Sequence, residues 1–205
     1  EQEHGNKIKV YRAYSDSDEG DFVATQINTI KKEEGKSFND FAILYRTNAQ
    51  SRVFEESFRR KAIPYKILGG TRFYDRKEIK DLLSYLKVLV NPNDSVSLKR
   101  IINVPKRGIG DATIAKLELE AKEQNTSIFQ IISKGKEQLF KELILHLTEE
   151  SDNLSLTELI DLILEETGMR EEYEQEKTME SERRLEVLEE FKSITMNYEN
   201  EYGEI

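Results

Sequence analysis

The chain has 205 residues, 37% of them hydrophobic, which is enough for one core or for one core with a small satellite domain. It has no cysteine and only two histidines far apart in sequence, which excludes disulfides and thiolate metal sites and predicts no structural metal. The net charge is −9. No apolar run approaches the length of a membrane span, about 18 residues, and residues 1–6 are polar. We therefore expect a cytoplasmic protein with neither signal peptide nor membrane contact.

Strands and helices are predicted to alternate in the first 70 residues. Residues 7–12 alternate between polar and apolar side chains, and 41–45 form a short continuous apolar run of the kind found in strands that are covered on both faces. The predicted order is strand 7–12, helix 18–34 ended by Gly35, strand 41–45, helix 48–61 capped by Asn48, and strand 65–68 ended by Gly69 and Gly70. This order predicts an α/β fold with a largely parallel sheet.

From Arg76 onward the apolar residues recur at helical spacing, and no later strand is predicted. Short helices are expected at 96–102 and from Asp111 to about Gln124, with a loop at 104–110 before the second, and further helices fill 127–200. We place the boundary between an α/β part and an all-α part near residue 132, although no Pro/Gly-rich linker marks it.

The charges are distributed unevenly along the chain. Residues 1–41 carry a net charge of −3, residues 42–110 carry 15 basic and 6 acidic side chains for a net +9, and residues 111–205 carry a net −15. A positive block inside an acidic chain indicates either one anion-binding surface or an ordinary solvated charged face. Glu55 and Glu56 are expected to lie on a solvated helix face rather than to act as general acids or bases.

Two segments have the residue types of phosphate contacts. Tyr45 and Arg46 stand where a predicted strand ends and a helix begins, a position where free backbone N–H groups and an arginine can meet an anion. The segment 104–110 joins Lys106 and Arg107 to the glycines Gly108 and Gly110 just before a helix that Asp111 or Thr113 could help to cap. The alternatives are a surface arginine beside a core tyrosine, and a plain helix-capping turn.

Three stretches resemble consecutive segments of the UvrD/PcrA/Rep type of superfamily 1 DNA helicases, with PcrA-type enzymes the most similar. They are FAILYRTNAQSR at 41–52, IPYKILGGTRFYDRKEIKDLLSYLKVLVNPND at 63–94, and RIINVPKRGIGDATI at 100–114. The resemblance covers essentially the whole chain. It implies that residues 1–132 are the first segment of the second RecA-like domain, with a partial parallel sheet and flanking helices. Residues 133–205 would then be part of its all-α helical insertion.

The resemblance also implies roles for individual residues. Tyr45 would pack on the adenine of ATP, and Arg46 would reach the γ-phosphate and neutralise charge during phosphoryl transfer. Lys106, Arg107, Gly108, Gly110 and Thr113 would contact the DNA backbone, and Arg72 is a further basic candidate. Thr167 and Gly168, in a predicted hinge between two helices, resemble a hairpin that grips duplex DNA. Nearby glutamates favour a plain helical hairpin instead.

The sequence lacks the Gly-x-x-x-x-Gly-Lys-Ser/Thr loop and an acidic Mg²⁺ site, both of which an NTP hydrolase of this type needs. We therefore expect a fragment that is inactive alone, and the resemblance implies that it belongs to an ATP- and Mg²⁺-dependent 3′-to-5′ helicase. Such an enzyme would act on single-stranded and duplex DNA in repair or replication, with protein partners from those processes. The alternative is a non-catalytic DNA-binding or protein-interaction module on the same scaffold.

Overall fold

The computed structural model describes residues 7–68 and 70–203, apart from the side chain of Asn48. The polar residues 1–6, on which the expectation of no signal peptide rests, and Gly69 lie outside the described part. The chain forms two compact units, one ending at Phe73 and the other beginning at Tyr74. The predicted boundary near residue 132 falls inside the second unit and stays a prediction.

The described residues form ten α-helices and several short 3-10 turns. In the first unit these are α1 (Asp16–Glu34) and α2 (Ser51–Arg60). In the second unit they are α3 (Lys77–Val90), α4 (Ser95–Ile101), α5 (Asp111–Glu123), α6 (Ile128–Ile131), α7 (Gly135–Ser151), α8 (Leu156–Glu166), α9 (Met169–Glu176) and α10 (Met179–Tyr202).

Local signals set the helix ends. Ser15 caps α1 by accepting from the Asp18 N–H group, and Gly35 ends it in the left-handed conformation, as predicted. Asp94 caps α4 by accepting from the N–H groups of Val96 and Ser97. The predicted helices at 18–34, 96–102 and 111–124 are confirmed as α1, α4 and α5. Asn48 opens a 3-10 turn, and α2 begins only at Ser51.

The predicted α/β fold with a partial RecA-like parallel sheet is wrong: no strand forms within 7–68 or 70–203, and this described part of the chain is all-α. A strand is stabilised only when a neighbour completes its ladder of hydrogen bonds. No backbone hydrogen bond of the described residues joins 7–12, 41–45 and 65–68 to one another. One side of these segments is uncovered, with Ile8 and Leu44 94% and 95% exposed, while Phe41 and Ile43 are half-buried against the core of the first unit.

Each unit has its own apolar core. In the first unit α1 packs against α2, and the core is built on Ala24, Ile27, Phe58 and Ile63. In the second unit α3 is central because it contacts α4, α7, α8 and α10. Its buried face, Ile79, Leu82, Tyr85 and Val88, is fully removed from solvent, and each aliphatic side chain there contributes roughly 2 kcal/mol of burial. The Tyr85 hydroxyl of this face donates to the Val104 carbonyl oxygen, so the second core supports the loop between α4 and α5.

Candidate functional site

The turn that carries Tyr45 and Arg46 is fixed by one side chain. The Gln50 Oε1 atom accepts from the Arg46 N–H group at 2.9 Å and from the Thr47 N–H group at 3.2 Å. The Arg46 side chain is exposed and forms no ion pair with the described residues. Tyr45 is half-buried, with its ring centroid 6.4 Å from that of Phe54. An exposed guanidinium on a fixed backbone is suited to meet a phosphate from outside this unit.

Glu55 of α2 is not a solvated carboxylate, so the prediction that it lies on a solvated helix face is wrong. Its side chain is only 4% exposed. It accepts from the Ser51 hydroxyl at 2.9 Å, from the Phe73 N–H group at 3.1 Å and from the Tyr65 hydroxyl at 3.4 Å. Buried carboxylates require such partners. Glu55 therefore ties α2 to the chain that precedes the second unit.

Arg72 lies beside this carboxylate network. Its guanidinium stands over the ring of Tyr65, 5.4 Å from the centroid, and its side chain is exposed. The neighbouring Phe73 is fully buried and is not available to stack on a base. Arg72 is therefore an exposed cation, whereas the ring of Phe73, the next residue in sequence, belongs to the core.

The loop between α4 and α5 is folded around Asn103. The Asn103 Oδ1 atom accepts from the Arg107 N–H group at 2.7 Å and from the Ile109 N–H group at 3.1 Å. Ile109 is 1% exposed and anchors the loop, while Gly108 has a φ of +73°, which strains any residue with a Cβ. Lys106, Gly108 and Gly110 are left on the surface.

The start of α5 has no side-chain cap. Gly110 is the N-cap residue, and neither Asp111 nor Thr113 supplies the predicted capping hydrogen bond. The Thr113 and Ile114 N–H groups are bonded to the Gly110 carbonyl oxygen. The backbone N–H groups that precede Thr113 in this turn are the donors that a helix start offers to an anion. The negative charge of the exposed Asp111 carboxylate opposes the binding of an anion there.

Lys136 belongs to the same surface, and the sequence does not indicate it. A side chain at Gly108 would overlap the Lys136 Nζ atom, so the ammonium group of α7 stands over the loop. Lys136 and Lys106 are both exposed, and neither forms an ion pair within the described residues. Lys136 lies in the stretch 111–205, whose net charge of −15 does not predict an anion-binding residue.

Arg107 is placed differently from Lys106, because protein acceptors surround its guanidinium. The Nη1 atom donates to the carbonyl oxygens of Val104 at 2.9 Å, Pro105 at 3.2 Å and Ile101 at 3.3 Å. The Nη2 atom donates to the Tyr85 hydroxyl at 2.8 Å. The Phe140 ring of α7 lies 5.5 Å from the guanidinium carbon.

The structure brings the predicted Thr167–Gly168 hinge to this loop. The Arg107 Nη2 atom also donates to the Thr167 carbonyl oxygen at 3.3 Å, across 60 positions of sequence. Thr167 is buried, and its hydroxyl donates to the Ile163 carbonyl oxygen at the end of α8. Glu165 and Glu166 beside the turn are exposed, so its surroundings are more acidic than those of Lys106. The loop 104–110 and the Thr167–Gly168 turn are therefore in direct contact.

Tyr45, Arg46 and Arg72 lie in the first unit, whereas the loop and the hinge lie in the second. Within 7–68 and 70–203, no group of three or more His, Asp or Glu side chains is arranged to hold a metal ion. In the same part of the chain, no helix is long and apolar enough to cross a membrane.

Residues 1–204 match the family model described as "UvrD-like helicase C-terminal domain". The chain is 45% identical over 207 residues to "ATP-dependent DNA helicase PcrA" of Staphylococcus aureus (strain Mu50 / ATCC 700699), a match that covers 96% of this chain. It is likewise 45% identical over 206 residues, or 95% of this chain, to the protein of that name from Staphylococcus epidermidis (strain ATCC 12228 / FDA PCI 1200). The chain spans 28% of the length of each of these relatives.

Proposed function

Because this chain belongs to the UvrD-like helicase C-terminal domain family, we propose that it is the part of an ATP-dependent DNA helicase that contributes one ATP contact and one DNA-backbone surface. The helicase translocates 3′ to 5′ on single-stranded DNA and unwinds duplex DNA in repair or replication. The observation that carries the proposal is the 45% identity to a DNA helicase over 96% of the chain. The exposed Arg46 and Lys106, which stand in the segments that resemble helicases, support it.

The ATP contact is assigned to Arg46 and Tyr45. Arg46 fits an anionic phosphate because its guanidinium is exposed and without an ion pair in the described part, while Gln50 holds its backbone. ATP with Mg²⁺ supplies the phosphoryl group, and Arg46 would neutralise negative charge on it during transfer. Tyr45 offers a ring face to the adenine. The metal ligands and the remaining phosphate contacts would come from residues outside this chain, so the chain alone would not hydrolyse ATP.

The DNA surface is assigned to the loop 106–110, the start of α5 at Thr113, and the Thr167–Gly168 turn, with Arg72 as a separate basic contact in the first unit. Lys106 and Lys136 supply exposed ammonium groups, the one of Lys136 standing over Gly108, and the open space at Gly110 lets a phosphate approach the backbone amides. Nothing in the residue types of this surface demands recognition of a particular base. Binding to this surface would be independent of sequence and strongly dependent on salt.

A salt titration of DNA affinity tests this surface in the full-length protein. Replacing Lys106 by Ala should weaken binding and reduce the slope of log affinity against log salt by roughly 0.7 on single strands or 0.9 on duplex, because one phosphate contact is lost. Lys122→Ala is the matched control, since Lys122 is an exposed lysine at the far end of α5. If Lys106→Ala and Lys122→Ala give the same slope as the unmodified protein, the loop is a helix-capping turn and not a DNA contact.

A further inference from the structure

The Arg107 guanidinium is the point where four elements of the second unit meet. Its terminal nitrogens bond the carbonyls of Ile101, Val104 and Pro105, the Tyr85 hydroxyl of α3 and the Thr167 carbonyl of the α8–α9 turn. The Phe140 ring of α7 packs beside it. Tyr85, Phe140 and Thr167 are all buried. Arg107 therefore connects the α4–α5 loop with three other helical elements.

This bonding leaves Arg107 little capacity for a phosphate. A guanidinium has five N–H donors, and the four on Nη1 and Nη2 already face five protein acceptors. A phosphate on those nitrogens would have to displace carbonyl oxygens that then need other donors. Lys106, the adjacent residue, has its ammonium group exposed and without an ion pair in the described part. The two neighbouring cations are thus suited to different tasks.

Tyr85 completes the connection. Its hydroxyl accepts from the Arg107 Nη2 atom and donates to the Val104 carbonyl oxygen, so one buried ring holds both the arginine and the loop backbone. A lysine at position 107 could not reproduce this arrangement, because a single ammonium group cannot reach acceptors on both sides of a planar fork. The connection depends on the shape of arginine as well as on its charge.

We propose that Arg107 is a positioning residue that fixes the loop 106–110 against the Thr167–Gly168 turn, so that the two segments meet one DNA backbone as a single surface. The inference deepens the proposed DNA-binding function and rests on it. Lys106 and Lys136 supply the charge, and Arg107 determines where they stand relative to the turn. Loss of Arg107 would allow the two segments to move separately.

The test compares Arg107→Lys, Arg107→Ala and Tyr85→Phe in the full-length protein, with Lys106→Ala and Lys122→Ala beside them. Affinity for a duplex with a single-stranded tail is measured at several salt concentrations. A positioning role predicts that Arg107→Lys weakens binding by about tenfold, as much as Arg107→Ala, although the charge is kept. Tyr85→Phe, which removes no charge, should weaken binding in the same direction. A direct phosphate contact predicts that Arg107→Lys retains most of the affinity and that Tyr85→Phe has no effect.

A distance measurement separates positioning from general destabilisation and does not need DNA. Nitroxide labels replace the exposed Asp111 at the start of α5 and the exposed Glu166 beside the turn. The unmodified protein should give one narrow distance distribution, which broadens in Arg107→Lys and Tyr85→Phe at temperatures where unfolding curves show both variants folded. If Arg107→Ala does not fold, Tyr85→Phe still decides the result, since it keeps the ring that fills the core.

The outcomes distinguish the two proposals. Narrow distances together with unchanged affinity in Arg107→Lys would overturn the positioning role. Unchanged affinity and salt slope in Lys106→Ala would instead overturn the DNA contact of the loop, while the label distances would still report whether Arg107 holds the loop and the turn together.

Discussion

The phenol of Tyr85 is buried and lies beside the permanent positive charge of Arg107. Burial raises the pKa of Tyr85 to about 12, and this effect outweighs the opposing attraction and hydrogen bond of Arg107, which favour the ionised form. An unfolded tyrosine ionises near pH 10. Between these two values the folded protein keeps the proton and the unfolded chain loses it, so stability must fall as the pH rises.

We expect this loss of stability to be measurable as a slope of the free energy of unfolding against pH. From pH 9 to pH 11 Tyr85 should reduce the free energy of unfolding by about 1 kcal/mol, and Tyr85→Phe should remove that part of the decline. Burial also raises the pKa of Tyr173, so some decline should persist in the variant. Denaturant unfolding at successive pH values gives the slope, and Tyr198→Phe is the control because Tyr198 is 45% exposed. Equal slopes in Tyr85→Phe and the unmodified protein would contradict this account of Tyr85.

The candidate site was predictable only in part, and individual residues show why. Residue type and local sequence identify Arg46 and Lys106 as cations, and the structure leaves both exposed. Sequence cannot distinguish Lys106 from its neighbour Arg107, because two of the five acceptors of Arg107 come from α3 and from a turn 60 positions away. Lys136 was missed for the same reason, since only tertiary packing carries it to Gly108. Contacts distant in sequence decide which charged side chains remain available.

At the scale of elements, the helices were predictable and the sheet was not. A helix satisfies its backbone groups within itself, so caps such as Ser15 and Asp94 and a terminator such as Gly35 are sufficient to locate it. A strand depends on a partner that local sequence does not reveal. The apolar runs at 41–45 and 65–68 satisfy the strand pattern, yet no ladder forms in the described part of the chain. Apolar spacing alone therefore gave the wrong fold class for the first unit.

The packing of α1 on α2 depends on a glycine within α1. A Cβ atom at Gly20 would lie 2.6 Å from the Ser57 hydroxyl and 2.8 Å from the Val53 carbonyl oxygen, both on α2. The carbonyl oxygen belongs to the helix backbone and cannot move aside as a flexible side chain could. The absence of a side chain at Gly20 therefore lets the two helices approach closely.

Gly20→Ala should consequently destabilise the first unit. In an exposed helix interior the same change would stabilise by about 1 kcal/mol through helix propensity, but overpacking costs roughly 1–3 kcal/mol. We expect the overpacking cost to prevail and the thermal midpoint to fall. Asn28→Ala, at an exposed position of α1, is the matched control and should be neutral or slightly stabilising. A rise in the midpoint for Gly20→Ala would show that α1 and α2 are not held this closely.

At the scale of the whole molecule, a chain with net charge −9 is proposed to bind a polyanion. The uneven distribution of charge makes a negative net charge compatible with binding of a polyanion, because residues 42–110 carry a net +9 and residues 111–205 a net −15. Lys106 and Lys136 are exposed at one loop, while acidic side chains such as Glu165 and Glu166 flank the neighbouring turn. Long-range repulsion would keep DNA from the acidic surfaces and restrict it to the basic one.

We propose that this chain is part of an ATP-driven motor and that Arg46 contacts the phosphates of its ATP. DNA-stimulated ATP hydrolysis by the full-length protein tests it most directly, with Arg46→Ala compared against Arg59→Ala, an exposed arginine of α2 in the same unit. We expect Arg46→Ala to reduce turnover by about 10³-fold or more while DNA affinity without nucleotide is retained, and Arg59→Ala to leave turnover unchanged. DNA-stimulated turnover that survives intact in Arg46→Ala would contradict the ATP contact assigned to Arg46, and the absence of DNA-stimulated turnover in the unmodified protein would favour a non-catalytic DNA-binding module.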